Sequence, residues 1–326
     1  MARRGMQIAD MFALWIASWS AMALCFPSAF TWIGGFSQKA LLSLLVFFMG
    51  MTARPTEFAA CFANPRPIFI NAFLCLCAVP ALAYVLASSA GLQWPFKCGL
   101  VLLGSVNGGS SSNLFSLLAG ADVALSIVMT ASTTLLAVMS IPTVAKAMIG
   151  TMVPVDGCAI LLSAVQLVLL PVTLGVCASL VLPKTSAAVE RGLPVFGLLV
   201  VAPITGSVVG GSAKDILEGG VSLHAAVAVL HAVSAATGYG LSSALGGSEK
   251  ECRTVAIEVG MKNAVFSSVL AATHFSNPAI KAPSAVSCIW CPMVAAMLSA
   301  YWKARPVSSK AALSESDVSA DVRAGA

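Results

Sequence analysis

Glu258 and Lys262 stand four residues apart in Ile257-Glu258-Val259-Gly260-Met261-Lys262-Asn263, deep inside an apolar stretch of a chain that is only 10% charged. An ionised side chain near a bilayer midplane costs at least ~2.5 kcal/mol, so such residues face a cavity, find a partner and mark ion or substrate pathways. Gly260 weakens the helix between them. A second polar run, Ser105-Val106-Asn107-Gly108-Gly109-Ser110-Ser111-Ser112-Asn113, also interrupts apolar sequence. Unwound backbone inside a membrane is tolerated only where protein or a water-filled cavity surrounds it. There, freed carbonyls and helix ends can hold a hard cation, and exposed N–H groups an anion. Oxygen ligands for sodium are on offer from Ser110, Ser112 and Asn113 at the first run and from Glu258 and neighbouring carbonyls at the second. Ser126 and Thr130, four apart, share one helix face and add two hydroxyls. Each hydroxyl alone could equally bond back to its own helix; their convergence is what points to an ion.

The elements that position these groups follow from composition. The chain has 326 residues, 58% of them hydrophobic, with a mean hydropathy of +0.92. A soluble domain, with roughly 25% charged residues, could not bury this much apolar surface. The fold class is therefore all-α and polytopic, with the lipid bilayer as solvent, and the net charge of +5 carries no nucleic-acid meaning. Windows of about 20 apolar residues predict ten transmembrane helices near 9–27, 36–52, 67–89, 96–119, 122–149, 157–182, 189–212, 220–245, 251–274 and 282–302. Residues 306–326 read as a disordered polar tail. Residues 1–150 would form one five-helix repeat and 151–305 a second. The odd number of spans makes the two repeats inverted, and the interruptions fall in the fourth span of each, which points to a midplane site. With the N-terminus inside, the outer connections carry Lys39, Lys97, Lys146, Lys214 and Lys281, while the other basic residues except Lys262 lie inside. That bias puts both termini on the cytosolic side or its organellar equivalent.

Several features have plain explanations. Cys288 and Cys291 form a C-x-x-C on a hydrophobic stretch, where small apolar packing outweighs a metal or redox role. His224 and His231 lie seven residues apart on one helix face, and packing with local hydrogen bonds outweighs a proton relay. No nucleophile–base pair, metal array or phosphate loop suggests an enzyme.

Gly108-Gly109-Ser110-Ser111-Ser112-Asn113, followed by Gly120-Ala121-Asp122-Val123-Ala124-Leu125-Ser126, and Glu258-Val259-Gly260-Met261-Lys262-Asn263 resemble the two signatures of the bile acid:sodium symporter family. That family includes bacterial homologues and plastid organic-acid carriers. Gly50-Met51-Thr52 before Pro55, and Ala271-Ala272-Thr273-His274-Phe275, match weaker patterns. The resemblance runs from about residue 10 to 303. It implies broken helices 4 and 9 crossing at the midplane, a core domain of spans 3–5 and 8–10, and a panel domain of spans 1, 2, 6 and 7. It implies a first sodium site of Ser112, Asn113, Ser126, Thr130 and Glu258. Gly108, Gly109 and Gly260 would permit the unwound backbone, and Asn107, Ser110, Ser111, Lys262, Asn263 and Pro292 would lie around the substrate.

The second sodium site departs from the family. Where relatives place two glutamines, this chain has Cys75 and Lys262, beside Val259 and Met261. A thiol is a poor sodium ligand, and an ammonium 4 Å from a cation is repelled by roughly 4 kcal/mol at an effective dielectric of about 20. Lys262 could be a tethered cation replacing the ion, a contact for a substrate carboxylate, or a proton carrier. Trp290-Cys291-Pro292 replaces a common Trp-His-Asn, and Asn107 a common proline. The resulting expectation is a sodium-coupled symporter of a small organic anion, a monocarboxylate by preference. It would sit in a plasma, bacterial inner or plastid-envelope membrane. A sodium-independent or proton-coupled facilitator is the alternative, and a non-transporting receptor a more distant one.

Overall fold

A computed structural model describes residues 12–52, 64–109, 111–150 and 153–305. Ser110, Pro55 and the expected tail at 306–326 lie outside the described residues. Regular structure among the described residues is helical throughout: α1 (Phe12–Cys25), α2 (Phe36–Thr52), α3 (Arg66–Ser89), α4 (Trp94–Ser105), α5 (Ser111–Leu118), α6 (Val123–Ile149), α7 (Gly157–Val181), α8 (Pro183–Gly210), α9 (Ala213–Ala244), α10 (Glu249–Gly260), α11 (Ala264–His274) and α12 (Ala282–Lys303). Among the described residues six stretches are long and apolar enough to cross a membrane: α3, α6, α7, α9, Glu249–His274 and Pro278–Lys303. Of the other expected windows, the first, second and seventh hold shorter apolar helices, and the fourth is divided between α4 and α5. The protein is an all-helical, polytopic membrane protein.

Local chemistry explains where these helices begin and bend. Asp122 caps α6 by accepting from Leu125 N at 3.0 Å, and Asp156 caps α7 by accepting from Ala159 N at 3.0 Å. Ser248 and Glu251 form a reciprocal capping box at the start of α10. These caps fix the phase of the helices that carry Ser126, Thr130 and Glu258. Wide π turns at Leu74–Ala78 in α3 and Val165–Leu169 in α7 precede Pro80 and Pro171. Each proline lacks the N–H that a regular turn would use, and the widened turn accommodates it. In α9 the helical path breaks at Gly220, whose φ of 56° suits a residue without Cβ.

Two sets of helices pack closely. The first contains α1, α2, α7 and α8. There α2 and α7 touch through facing glycines: a Cβ on Gly175 would lie 2.1 Å from Phe47 O, and one on Gly50 2.4 Å from Val172 O. Small residues that let backbones approach in this way are the usual substitute for hydrophobic driving force in lipid. The second set joins α3 with α4, and α9 with α10 and α12. Glu249–His274 is the most enclosed of the long stretches, 83% buried against 33% for α9, so the two charges of the sequence sit on the innermost element.

Candidate functional site

Both polar runs interrupt helices, and the interruptions meet. Helix α4 stops at Ser105, Val106 turns extended (φ −79°, ψ 150°), and the helix resumes as α5 at Ser111. Helix α10 stops at Gly260, Met261 turns extended (φ −92°, ψ 141°), and α11 begins at Ala264, capped by Asn263 Oδ1 accepting from Phe266 N at 3.1 Å. Asn263 N donates to Asn107 O at 2.8 Å, tying one interruption to the other through backbone. A Cβ on Gly108 would lie 3.2 Å from Glu258 Oε2, so a residue without a side chain lets the first interruption lie against the carboxylate.

Around Glu258 the expected oxygens converge. Ser126 Oγ donates to Glu258 Oε1 at 2.5 Å, and Thr130 Oγ1 donates to Oε2 at 2.9 Å. Asn113 Oδ1 lies 2.9 Å from Ser126 Oγ. Ser112 Oγ donates to Gly109 O at 2.8 Å and stands 3.3 Å from Thr130 Oγ1. Ser112, Ser126, Thr130 and Glu258 are all buried. A hydroxyl carries one proton. Ser126 nonetheless faces both the carboxylate and the Asn113 oxygen, and Thr130 faces both the carboxylate and Ser126 O at 3.0 Å. Ser126 thus has one hydroxyl proton for two acceptors, Glu258 Oε1 and Asn113 Oδ1, which leaves an oxygen free for another donor or for a cation. Turning the Asn113 amide would relieve one contact; the oxygen-inward orientation is the one suited to an ion.

Two members of this cluster escaped the sequence reading. Ser116 Oγ donates to Ser126 Oγ at 3.1 Å, and the Gly109 carbonyl joins through Ser112. Ser116 follows Ser112 by one helical turn, so periodicity along α5 could have found it. Thr134, one turn beyond Thr130, receives a hydrogen bond from Asn107 Nδ2.

The neighbourhood of Lys262 differs. Its Nζ is enclosed and finds no oxygen acceptor among the described residues, with the Cys75 thiol as a close polar neighbour. Lys262 and Glu258 form no ion pair within 4.0 Å. Cys75, Glu258, His231 and Cys291 lie within electrostatic reach of the ammonium. Cys75, in the π turn of α3, donates to Asn71 Oδ1 at 3.5 Å, while Asn71 Nδ2 is itself enclosed without an acceptor. His231 spans from Gly260 O (Nδ1, 2.7 Å) to Ser287 Oγ (Nε2, 2.9 Å). Because a carbonyl only accepts, Nδ1 carries the proton there, and Nε2 can take the Ser287 hydroxyl. His224 accepts from Trp290 Nε1 at 3.2 Å.

A cavity of about 80 Å³ lies between α1, α2 and α8 on one side and the interruptions with α12 on the other. Ser111, Lys262, Asn263 and Pro292 line it. Since Lys262 Nζ is enclosed, the backbone and stem of that residue face the cavity and the ammonium does not. Asn107 instead lines an adjoining cavity of about 20 Å³, which shares Leu42, Leu45, Gly109 and Asn263 with the first and adds Thr134.

The family model described as the Sodium Bile acid symporter family matches residues 39–219. The chain is 31% identical over 299 residues to the probable chloroplastic sodium/metabolite cotransporter BASS1 of Oryza sativa subsp. japonica, spanning 92% of this chain and 74% of that protein. It is 30% identical over 298 residues to the probable chloroplastic cotransporter BASS2 of the same plant, spanning 91% and 71%. It is also 28% identical over 308 residues to the uncharacterized sodium-dependent transporter YocS of Bacillus subtilis (strain 168), spanning 94% and 95%. By these matches the chain belongs to the sodium bile acid symporter family, a family of sodium-dependent membrane transporters and not of enzymes.

Proposed function

We propose that this chain is a secondary active transporter that couples Na+ to the symport of a small organic anion by alternating access. Ser112, Asn113, Ser126, Thr130 and Glu258 bind the ion, and the Gly109 carbonyl completes the shell. One observation carries this assignment: a buried carboxylate held by two hydroxyls, beside an amide oxygen and a helix-end carbonyl, with one Ser126 proton for two acceptors. Unwound backbone and helix ends of this kind coordinate Na+ in broken-helix transporters. Sodium bound here draws both interruptions together and so builds the anion site, which is thermodynamic coupling between two ligands.

In this proposal ten spans form two inverted repeats, residues 1–150 and 151–305, whose broken fourth and ninth helices (α4 with α5, α10 with α11) cross at the midplane. The panel domain contains α1, α2, α7 and α8, and the core domain the other helices. The close packing within each set and the cavity between them support that division. Both termini lie on the cytosolic-equivalent side. The anion sits in the cavity against the amino ends of α5 and α11, near Ser111, Asn263 and Pro292, with Asn107 lining the adjoining cavity. A small monocarboxylate suits a cavity of about 80 Å³. Lys262 occupies the second sodium position as a tethered cation beside Cys75, Val259 and Met261. The enclosure of its Nζ favours that role over direct contact with substrate.

Binding of ²²Na+ to purified protein tests the ion site: one saturable ion per chain is expected, lost in Glu258→Gln. Undiminished binding in that variant would remove Glu258 from the site. A thermal-shift screen of organic acids with and without sodium identifies the anion, because a ligand of the folded state raises Tm. An acid that stabilises only in sodium is expected; stabilisation indifferent to sodium would refute coupling.

A further inference from the structure

The charges buried in this molecule admit a count. Among the described residues only Arg253, Glu258 and Lys262 are charged and buried. Arg253 is spoken for: its Nε donates to Glu249 Oε1 at 2.7 Å, and its other nitrogens to the carbonyls of Ala119, Trp302 and Arg305. It belongs to the ends of α5 and α12. His231 is satisfied as a neutral ring between Gly260 O and Ser287 Oγ. At the crossing, the positive amino ends of α5 and α11 are offset by the negative carboxyl ends of α4 and α10. Glu258 and Lys262 are left, one charge of each sign, enclosed and forming no ion pair within 4.0 Å.

We propose that Lys262 imposes a charge rule on the transport cycle: the core changes its exposure only when its buried net charge is zero. Building on the sodium site proposed above, the empty core is neutral. Sodium alone makes it +1. Sodium with a singly charged anion restores zero, and a dianion would leave −1. Carrying an uncompensated charge through a low-dielectric barrier is costly because the desolvation is not repaid. The permitted forms are therefore the empty carrier and the carrier with one Na+ and one monovalent anion. Transport is electroneutral, sodium cannot leak through alone, and the substrate class is set by charge as well as by size.

Sodium alone is a sufficient probe. Wild-type protein in liposomes, with ²²Na+ inside, unlabelled Na+ outside and no organic acid, is expected to exchange label no faster than protein-free liposomes. Lys262→Met makes the one-sodium form neutral without supplying a new oxygen ligand, and exchange is expected to rise at least tenfold. Lys262→Leu should do the same, which guards against one variant misfolding, and Lys262→Arg should stay at the wild-type rate. Rapid exchange by the wild type, exchange by Lys262→Arg equal to that of Lys262→Met, or no rise in monodisperse apolar variants that still bind ²²Na+ would each overturn the rule. A wild type that binds no ²²Na+ in detergent would instead overturn the sodium site beneath it, so the two failures are distinguishable.

Discussion

The surroundings of Glu258 and of Lys262 are opposite in kind, although the residues are four apart in sequence. Around Glu258, hydroxyls, an amide oxygen and backbone carbonyls crowd together, and Ser126 has one proton for two acceptors. Around Lys262, donors lack acceptors: its own Nζ and the nearby α3 residue Asn71 through its Nδ2 are both enclosed without an oxygen acceptor, and Cys75 offers only a thiol. In the function proposed here, the oxygens around Glu258 accept a positive charge, and Lys262 brings one in place of a second ion.

Variants can break or sharpen that contrast. Glu258→Gln removes the only carboxylate of the cluster and should abolish saturable sodium binding, as proposed above. The next largest effect is expected from Ser126→Ala. It strips the hydroxyl that bridges Glu258 and Asn113, and loss of a hydrogen bond to a charged group costs about 1.5–3 kcal/mol. Sodium affinity measured with ²²Na+ should fall by roughly tenfold or more, while a fall under about twofold would place the ion elsewhere. Lys262→Gln should turn the second region into an acceptor-bearing one. The Hill coefficient for sodium is expected to rise from about one toward two, and an unchanged coefficient would count against the tethered cation. The smallest effect belongs to Cys75→Ala, which deletes a thiol that holds no ion in this scheme. Sodium affinity should stay within about twofold, and a larger loss would mean that Cys75 contributes to a working second site.

Much of this molecule was legible in one dimension because the bilayer is a severe solvent. It demands long apolar runs with internally satisfied backbone, so the helical class and its windows follow from hydropathy. A glycine-and-hydroxyl run or a buried charge stands out against such a background, which is why Glu258, Lys262 and the stretch from Ser105 to Asn113 could be singled out. The cap residues Asp122, Asp156 and Ser248 are local signals and readable in the same way.

Other features were decided by the tertiary arrangement. A spacing of four predicts neighbouring side chains only on a continuous helix. Helix α10 ends between Glu258 and Lys262, Met261 is extended, and the two charges form no ion pair. The bond from Asn263 to Asn107 joins positions more than 150 residues apart, and nothing local encodes it. The parts of Gly109 O and Thr134 were likewise set by how the first interruption lies against α5 and α6. Composition and periodicity determined that this chain lies in a membrane with two polar interruptions, because those properties are carried residue by residue. Which oxygens gather around Glu258, and which charge is left without an ion-pair partner, depended on how separate helices pack, and that is a property of the packed whole.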